Sequence, residues 1–442
     1  MKKIILILSF CSSSIAFAQV KTPSSVSNDS LNKSINALRK DVDNIKNLKI
    51  TGWVQAQFQI ADTAGAKNYD GGDFMPGSNN RFMIRRGRIK FTYNQKNSQY
   101  VLQLNATERG VNLVEIFAKY TDPWTNSISF TAGVMNRPFG FEIQQSSADR
   151  ESPERSRFTQ TLMPNERDLG AMLTFQPHAG KKLHGLKLDA GFYNGLGIAV
   201  PGTSTPAGAA AGTTGINGLT DFDSKKDFMG HLVYYKTLKN DKIKVGGGMS
   251  HYNGGFLAQN DTIFKSIKTD TAGNKVWSME KGFSNKIAPR VYYGFEGFFS
   301  IKSPIGTTTL RGEYFTGTQT GKIKDSKSPV AAVNSPLYER KFSAGYVYFI
   351  QRIMETKHEI AVKYEWYDPN TKIAAAQLNG INGMKEGEIK YTMIDVGYNL
   401  YLTQNVKFLV HYNMVSNEVT KIKGYTRDLK DNIFTVRMQY RF

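Results

Sequence analysis

The feature of this chain that most limits its fold is a rhythm in its connections. From Lys49 to Phe442, about sixteen segments alternate apolar and polar residues, the period of a strand whose two faces meet different surroundings. They fall near 49–60, 82–93, 99–107, 113–121, 127–135, 169–176, 184–193, 228–237, 242–250, 291–301, 307–316, 340–349, 357–367, 390–400, 405–416 and 432–442. Short links (Asn94 to Ser98, Asp122 to Asn126, Leu238 to Asp241, Lys302 to Gly306, Tyr401 to Gln404) take turns with long ones at 61–81, 136–168, 194–227, 251–290, 317–339, 368–389 and 417–431. Only the link near 108–112 breaks the order. A soluble sandwich gives no reason for one-sided loop lengths, whereas a sheet closed across a bilayer has short turns on one side and long loops on the other. The expected fold of 49–442 is all-β: a transmembrane antiparallel barrel of about 16 strands.

Composition agrees with strands that keep one wet face. The chain holds 27 Phe, 22 Tyr and 4 Trp, yet its mean hydropathy is -0.40. Its first residues form a leader: basic Lys2 and Lys3, an apolar run, and small residues Ala16 and Ala18 around a cleavage point near Ala18. Residues 1–18 are therefore expected to be removed on export. Bulky Phe10 before Cys11 argues against a lipid-modified leader, and with Cys11, the only cysteine, lost, the mature chain has no disulfide to rely on. Between 19 and 48, Leu31, Ile35, Leu38, Val42 and Ile45 are spaced four, three, four, three. That heptad seam predicts a short coiled-coil and linker segment that brings copies together, as a trimer stalk.

Parity assigns the strand faces. Ile89, Phe91 and Tyr93 toward lipid turn Arg86, Arg88 and Lys90 inward, and the same rule sends Lys119, Lys187, Lys242, Lys244, Arg311, Lys363, Lys407, Arg437 and Arg441 to the lumen. Glu115, Asp189, Glu296, Glu313, Glu359, Glu365 and Asp395 oppose them, with Arg311 and Glu313 close enough in parity to neutralise each other. Charge toward lipid is costly, and an inward excess of cations favours small anions. The loop at 136–168 is the most charged, and Arg137, Arg150, Arg155 and Arg167 could offer forked donors to an oxyanion if it folds into the lumen. Its own salt bridges could equally pin it to the wall.

The formal charge of +20 also raises nucleic acid as a partner. Export and the even spread of Lys and Arg exclude it in favour of anionic lipopolysaccharide and anionic solutes. The six histidines have no H-x-H or H-E-x-x-H spacing and no G-x-S-x-G elbow is present, so neither a metal nor a cofactor is expected and the chain reads as a non-enzyme. Asp62-Thr-Ala-Gly65 and Asp270-Thr-Ala-Gly273 read as turns. A barrel hydrolase and an adhesin are the alternatives of another class.

Several phrases then converge: Arg85-Arg-Gly-Arg-Ile, Asn136-Arg-Pro-Phe-Gly-Phe-Glu, Glu166-Arg-Asp-Leu-Gly, Phe192-Tyr-Asn-Gly, Lys363-Tyr-Glu-Trp-Tyr-Asp-Pro-Asn and the closing Asp431-Asn-Ile-Phe-Thr-Val-Arg-Met-Gln-Tyr-Arg-Phe442. Together, from about residue 49 to the end, they resemble the phosphate-selective porin O and P family. The resemblance implies a sixteen-stranded homotrimeric outer-membrane porin of a Gram-negative bacterium, with an inward-folded third loop and an arginine-lined path for phosphate or polyphosphate. It places Arg86 and Arg88 in the basic second-strand motif, Arg137 before Pro-Phe-Gly where the family often has Lys, and Arg167 and Asp168 in Arg-Asp-Leu-Gly. Lys90, Lys119 and Arg150 join this anion path by their position. A general, unselective solute porin is the alternative within the class. The terminal Phe434, Val436, Met438, Tyr440 and Phe442 are expected to face lipid, to close the barrel against Val54, Ala56, Phe58 and Ile60, and to resemble the signal read by the outer-membrane assembly machinery.

Overall fold

The computed structural model describes residues 28–164, 166–195, 223–238, 241–328, 335–381 and 383–442. The leader at 1–18 with its cleavage near Ala18, and the linker residues 19–27, lie outside the described residues. Two units are distinct, Met1–Leu48 and Lys49–Phe442. In the first, α1 (Asn28–Lys46) presents Leu31, Ile35, Leu38 and Val42 as exposed residues along one helix.

The second unit is built from β1 (Leu48–Ala61), β2 (Asn80–Gln95), β3 (Ser98–Thr107), β4 (Gly110–Thr121), β5 (Ile128–Asn136), β6 (Arg167–Phe175), β7 (Leu186–Tyr193), β8 (Asp227–Leu238) and β9 (Ile243–Leu257). A loop hairpin, β10 (Ile263–Thr269) and β11 (Lys275–Glu280), follows. Then come β12 (Ile287–Ser303), β13 (Gly306–Gly321), β14 (Leu337–Arg352), β15 (His358–Asp368), β16 (Tyr391–Tyr401), β17 (Val406–Asn417) and β18 (Ile433–Arg441). The loop between β5 and β6 carries two short helices, α2 (Phe141–Gln144) and α3 (Arg157–Leu162). Among the described residues eighteen strands form one sheet, and since β9 pairs directly with β12 the hairpin stands outside the wall, which is a closed antiparallel barrel of sixteen. Each expected segment is one of those sixteen. The hairpin was not expected, because runs of seven and six residues inside a long loop are too short for period two to stand out.

Alternation holds around the wall. Val54, Phe130, Leu173, Phe295, Leu310, Phe349, Val396 and Tyr440 are exposed on the outside, while Gln55, Gln57, Gln59, Asp395, Arg437 and Gln439 are buried inside. An outer surface this apolar is stable against hydrocarbon, where a charged side chain at mid-depth costs about 2–4 kcal/mol. One strand departs from the rule. In β2, Phe82 and Ile84 face outward but Arg86 is buried inward, so the alternation inverts at Arg85, and both arginines reach the same side.

The closing seam joins the two expected faces, with Val54 opposite Tyr440, Ala56 opposite Met438, Phe58 opposite Val436 and Ile60 opposite Phe434. Beyond it, Gly52 and Phe442 exchange two backbone hydrogen bonds of 3.0 Å. A Cβ at Gly52 would stand 2.3 Å from the Arg88 carbonyl oxygen and 2.4 Å from the Phe442 ring. Gly52→Ala should therefore cost about 1–3 kcal/mol by overpacking the seam. The check is the urea midpoint of the refolded barrel, and an unchanged midpoint would contradict the tight closure.

Candidate permeation site in the barrel lumen

The loop between β5 and β6 lies inside the barrel, and the strands hold it in two different ways. On one side the contact is apolar. Phe139, Ile143, Phe158, Leu162 and Met163 of the loop form one buried cluster with Tyr292 of β12, Phe315 of β13, Phe342, Tyr346 and Tyr348 of β14, and Tyr367 of β15. The rings meet edge to face, with Phe139–Phe315 centroids 4.9 Å apart and Phe158–Phe315 centroids 5.0 Å apart, an arrangement that adds to simple burial. That half of the lumen is a packed core.

The loop is also tied by charge and by its own backbone, in part on the same strands β13 and β15. Glu154 bridges Arg85 of β2 at 2.8 Å, Arg86 of β2 at 2.7 Å and Arg437 of β18 at 2.8 Å. Arg311 of β13 pairs with Glu151 at 2.8 Å, and Lys363 of β15 with Glu142 at 3.1 Å. Strand amides and ammonium groups also donate to loop carbonyls: Gln55 to Ser147 at 2.9 Å, Gln439 to Ala148 at 3.0 Å, Lys407 to Arg150 at 2.8 Å and Asn399 to Glu151 at 3.0 Å. Glu313 accepts the backbone N–H groups of Phe141 at 2.6 Å and Glu142 at 2.9 Å. The two options for this loop are thus both realised, since it enters the lumen and is pinned there by salt bridges. The expected neutralisation of Arg311 by Glu313 does not occur, because the loop brings each of them a closer partner.

The expected anion-path residues divide into three groups. Arg86, Arg150 and Arg167 come together around Glu154, Glu166 and Glu115, joined by Arg155 of the same loop. Burial pushes the Glu166 carboxyl up, but Arg155, Arg167, Arg150 and Arg88 outweigh it and hold it low. Burial, then the Arg155 charge, brings the Arg150 guanidinium down to about 10. Among the described residues, Nε of Arg88 and Nε and Nη1 of Arg150 are buried without a hydrogen-bond acceptor. Arg137 and Asp168 form a separate, fully buried pair at 3.5 Å; Asp168 also accepts the N–H groups of Leu169 at 2.8 Å and Gly195 at 3.0 Å. Much of the inward positive charge read from parity is therefore neutralised inside the lumen. Lys242 and Lys244 stand exposed at the short-turn end.

Lys90 and Lys119 line a cavity of about 320 Å³ between β2–β7 and the loop, extending to Gln99 beside the short β2–β3 turn. Lys90 reaches Glu115 at 3.2 Å, and Lys187 reaches Asp189 at 2.7 Å. Gln144 of α2 faces the same space, accepting from Lys187 at 3.3 Å and bonded to His231 at 2.7 Å. Phe117, Met135 and Met172 were not singled out from sequence, because an uncharged inward residue leaves no signal against the alternation of its strand, and Gln144 was not because it lies in a loop, where there is no alternation to read.

A second loop also enters. Asp70, between β1 and β2, is buried; its carbonyl accepts from Gln59 at 2.7 Å, its N–H donates to Asn68 at 2.5 Å, and its carboxyl meets Asn413. Gly71 and Gly72 follow at φ 114° and 94° and make the reversal that a side chain would resist. Burial, then Glu154, Asp395 and Glu365, push the Asp70 carboxyl up to about 8, with Lys363 opposing. A raised carboxyl keeps its proton when folded, so stability falls as pH climbs from the unfolded value of about 3.9 toward 8 and levels off above it. Asp70→Asn should remove that contribution, worth on the order of a few kcal/mol between pH 5 and 8. Urea midpoints at both pH values check it, and an identical pH dependence in the two proteins would refute it.

No family model matches the chain, and no curated protein matches it in sequence. Among solved structures it is similar to OprB of Pseudomonas putida at high pH, with 8% identity and a TM-score of 0.55 over 92% of this chain and 97% of that one. It is also similar to OmpF of Salmonella typhi in complex with daunomycin, with 14% identity and a TM-score of 0.50 over 89% and 97%. At such identities the shared property is the fold, and it extends over nearly the full length of each chain.

Proposed function

We propose that this protein is an outer-membrane porin of a Gram-negative bacterium, through which small anions, phosphate among them, diffuse passively. The observation that carries this reading is the arginine cluster in the lumen, where Arg88 and Arg150 keep buried donors without acceptors. A transient oxyanion would supply those acceptors, and a charge-assisted hydrogen bond contributes about 1.5–3 kcal/mol. The apolar outer wall and the absence of any nucleotide motif in the sequence fit passive passage. The family resemblance supports the same reading, as does the exposed α1 seam, which suits assembly of three copies. Lipid and lipopolysaccharide would then surround the wall, and the Phe434-to-Phe442 strand would serve the assembly machinery. The unselective alternative is favoured by one observation, the internal pairing that leaves little of the wall's charge free.

Chloride current across planar bilayers, with phosphate added as competitor, tests both. The double substitution Arg88→Gln and Arg150→Gln should raise the phosphate concentration for half-inhibition about tenfold or more. Wild-type current that phosphate never inhibits would leave a general porin, and no channel steps at all would end the porin reading.

A further inference from the structure

The cavity beside the loop is not uniformly polar. Phe117 of β4 and Met172 of β6 both line it, and both pack against the edge of the buried core to which Met135 of β5 belongs. The aromatic half of the lumen therefore emerges in the cavity wall as a strip of two thioethers and a ring. Beside it on the same wall stand Lys90, Lys119 and Lys187, with Lys119 two residues along β4 from Phe117 and level with Met172 across Thr131. Lys90 and Lys187 are already engaged by Glu115 and Asp189. Among the described residues Lys119 has no carboxylate partner. The space of about 320 Å³ lies at the lower end of the range of pockets that take small organic molecules, roughly 300–1,000 Å³. A hydrated inorganic anion would use Lys119 but gain nothing from a strip that sheds water.

We propose that this cavity is a transit site for small organic monoanions with an apolar body, the arylcarboxylates of which benzoate is the simplest, with Lys119 meeting the carboxylate and the Phe117–Met172–Met135 strip the ring. Sulfur set against an aromatic edge is a favourable contact, and one free ammonium selects a single charge. Binding stays weak, as passage requires, because no forked donor closes on the carboxylate. The inference rests on the porin reading and gives that pore a solute class distinct from phosphate.

The test uses the full-length channel in planar bilayers carrying chloride current, with benzoate or acetate added. Both carry one carboxylate, and benzoate is the larger, so sieving alone favours acetate. The wild type should show half-inhibition by benzoate at a concentration at least about fivefold below that for acetate, a difference of roughly 1 kcal/mol. Met172→Gln, which keeps length and adds polarity, should bring that ratio within about twofold, and Lys119→Gln should weaken both anions together. The ratio is the readout, so it does not depend on how many channels insert. Equal inhibition by the two anions in a conducting wild-type channel would overturn the proposal while leaving the porin reading intact. Absence of any chloride current would overturn both.

Discussion

Glu154→Gln is expected to destabilise the folded barrel by about 3–5 kcal/mol and to make its current noisy, the signature of a loop that no longer stays in one place. Three guanidiniums, of Arg85, Arg86 and Arg437, lie within 2.8 Å of this one carboxylate, and Arg150 stands at 3.9 Å. The substitution keeps the shape and removes the carboxylate charge that pairs with all three. Glu154 is itself buried, and burial alone would raise its carboxyl; Arg85, Arg86 and Arg437 overcome that and hold it well below the usual carboxylate range. The sign of the pH effect follows. The stabilisation is complete above the unfolded value of about 4.3 and is lost as pH falls through the depressed folded value. The wild type should thus lose stability below about pH 4.3, and the Gln variant, with nothing to protonate, should lose less over the same interval. Urea midpoints at pH 7 and pH 3 measure both effects, and single-channel records measure the noise. A variant as stable and as quiet as the wild type would mean that the backbone ties from Gln55, Gln439 and Asn399 hold the loop without it.

The strands were legible because each obeys a local rule that needs no partner. Period two and the long-short order of links identify sixteen segments, and parity placed Arg86, Glu115, Lys363 and Arg437 inside. What parity cannot supply is who meets whom across the lumen. Glu154 and Arg437 are 283 residues apart, and nothing near either names the other. The aromatic half of the lumen was hidden for a different reason. In β14, Tyr346 and Tyr348 point inward and Val347 and Phe349 outward, so both faces are apolar and alternation falls silent. Arg311 and Glu313 show the limit of same-face reasoning, since sharing a face on one strand does not outcompete a loop that presents Glu151 to one and two backbone N–H groups to the other.

Phe158→Ala should cost about 3–5 kcal/mol and widen the pore. Phe158 is fully buried on α3, with its ring 5.0 Å from that of Phe315 and 6.3 Å from that of Tyr346. In a soluble core such a truncation leaves a void that the surroundings only partly refill. Here the void opens inside a lumen, and the residue that leaves it belongs to the obstruction itself, so loosening the core moves the loop off the wall and lets water occupy its place. Single-channel conductance should rise and the urea midpoint fall together. Phe295→Ala on the lipid face is the control, since that ring is exposed outside the wall and its loss leaves the lumen unchanged. Glu154 and Phe158 are four residues apart and anchor the loop to different parts of the barrel, Glu154 to β2 and β18 and Phe158 to β13 and β14. If the loop leaves as one piece, releasing it at either anchor forfeits part of what the other contributes. The double variant should then cost less than the sum of the singles, with a coupling of about 0.5–3 kcal/mol. Strict additivity would mean that the two halves of the loop move independently, so that the charged path could change width while the aromatic core stays closed.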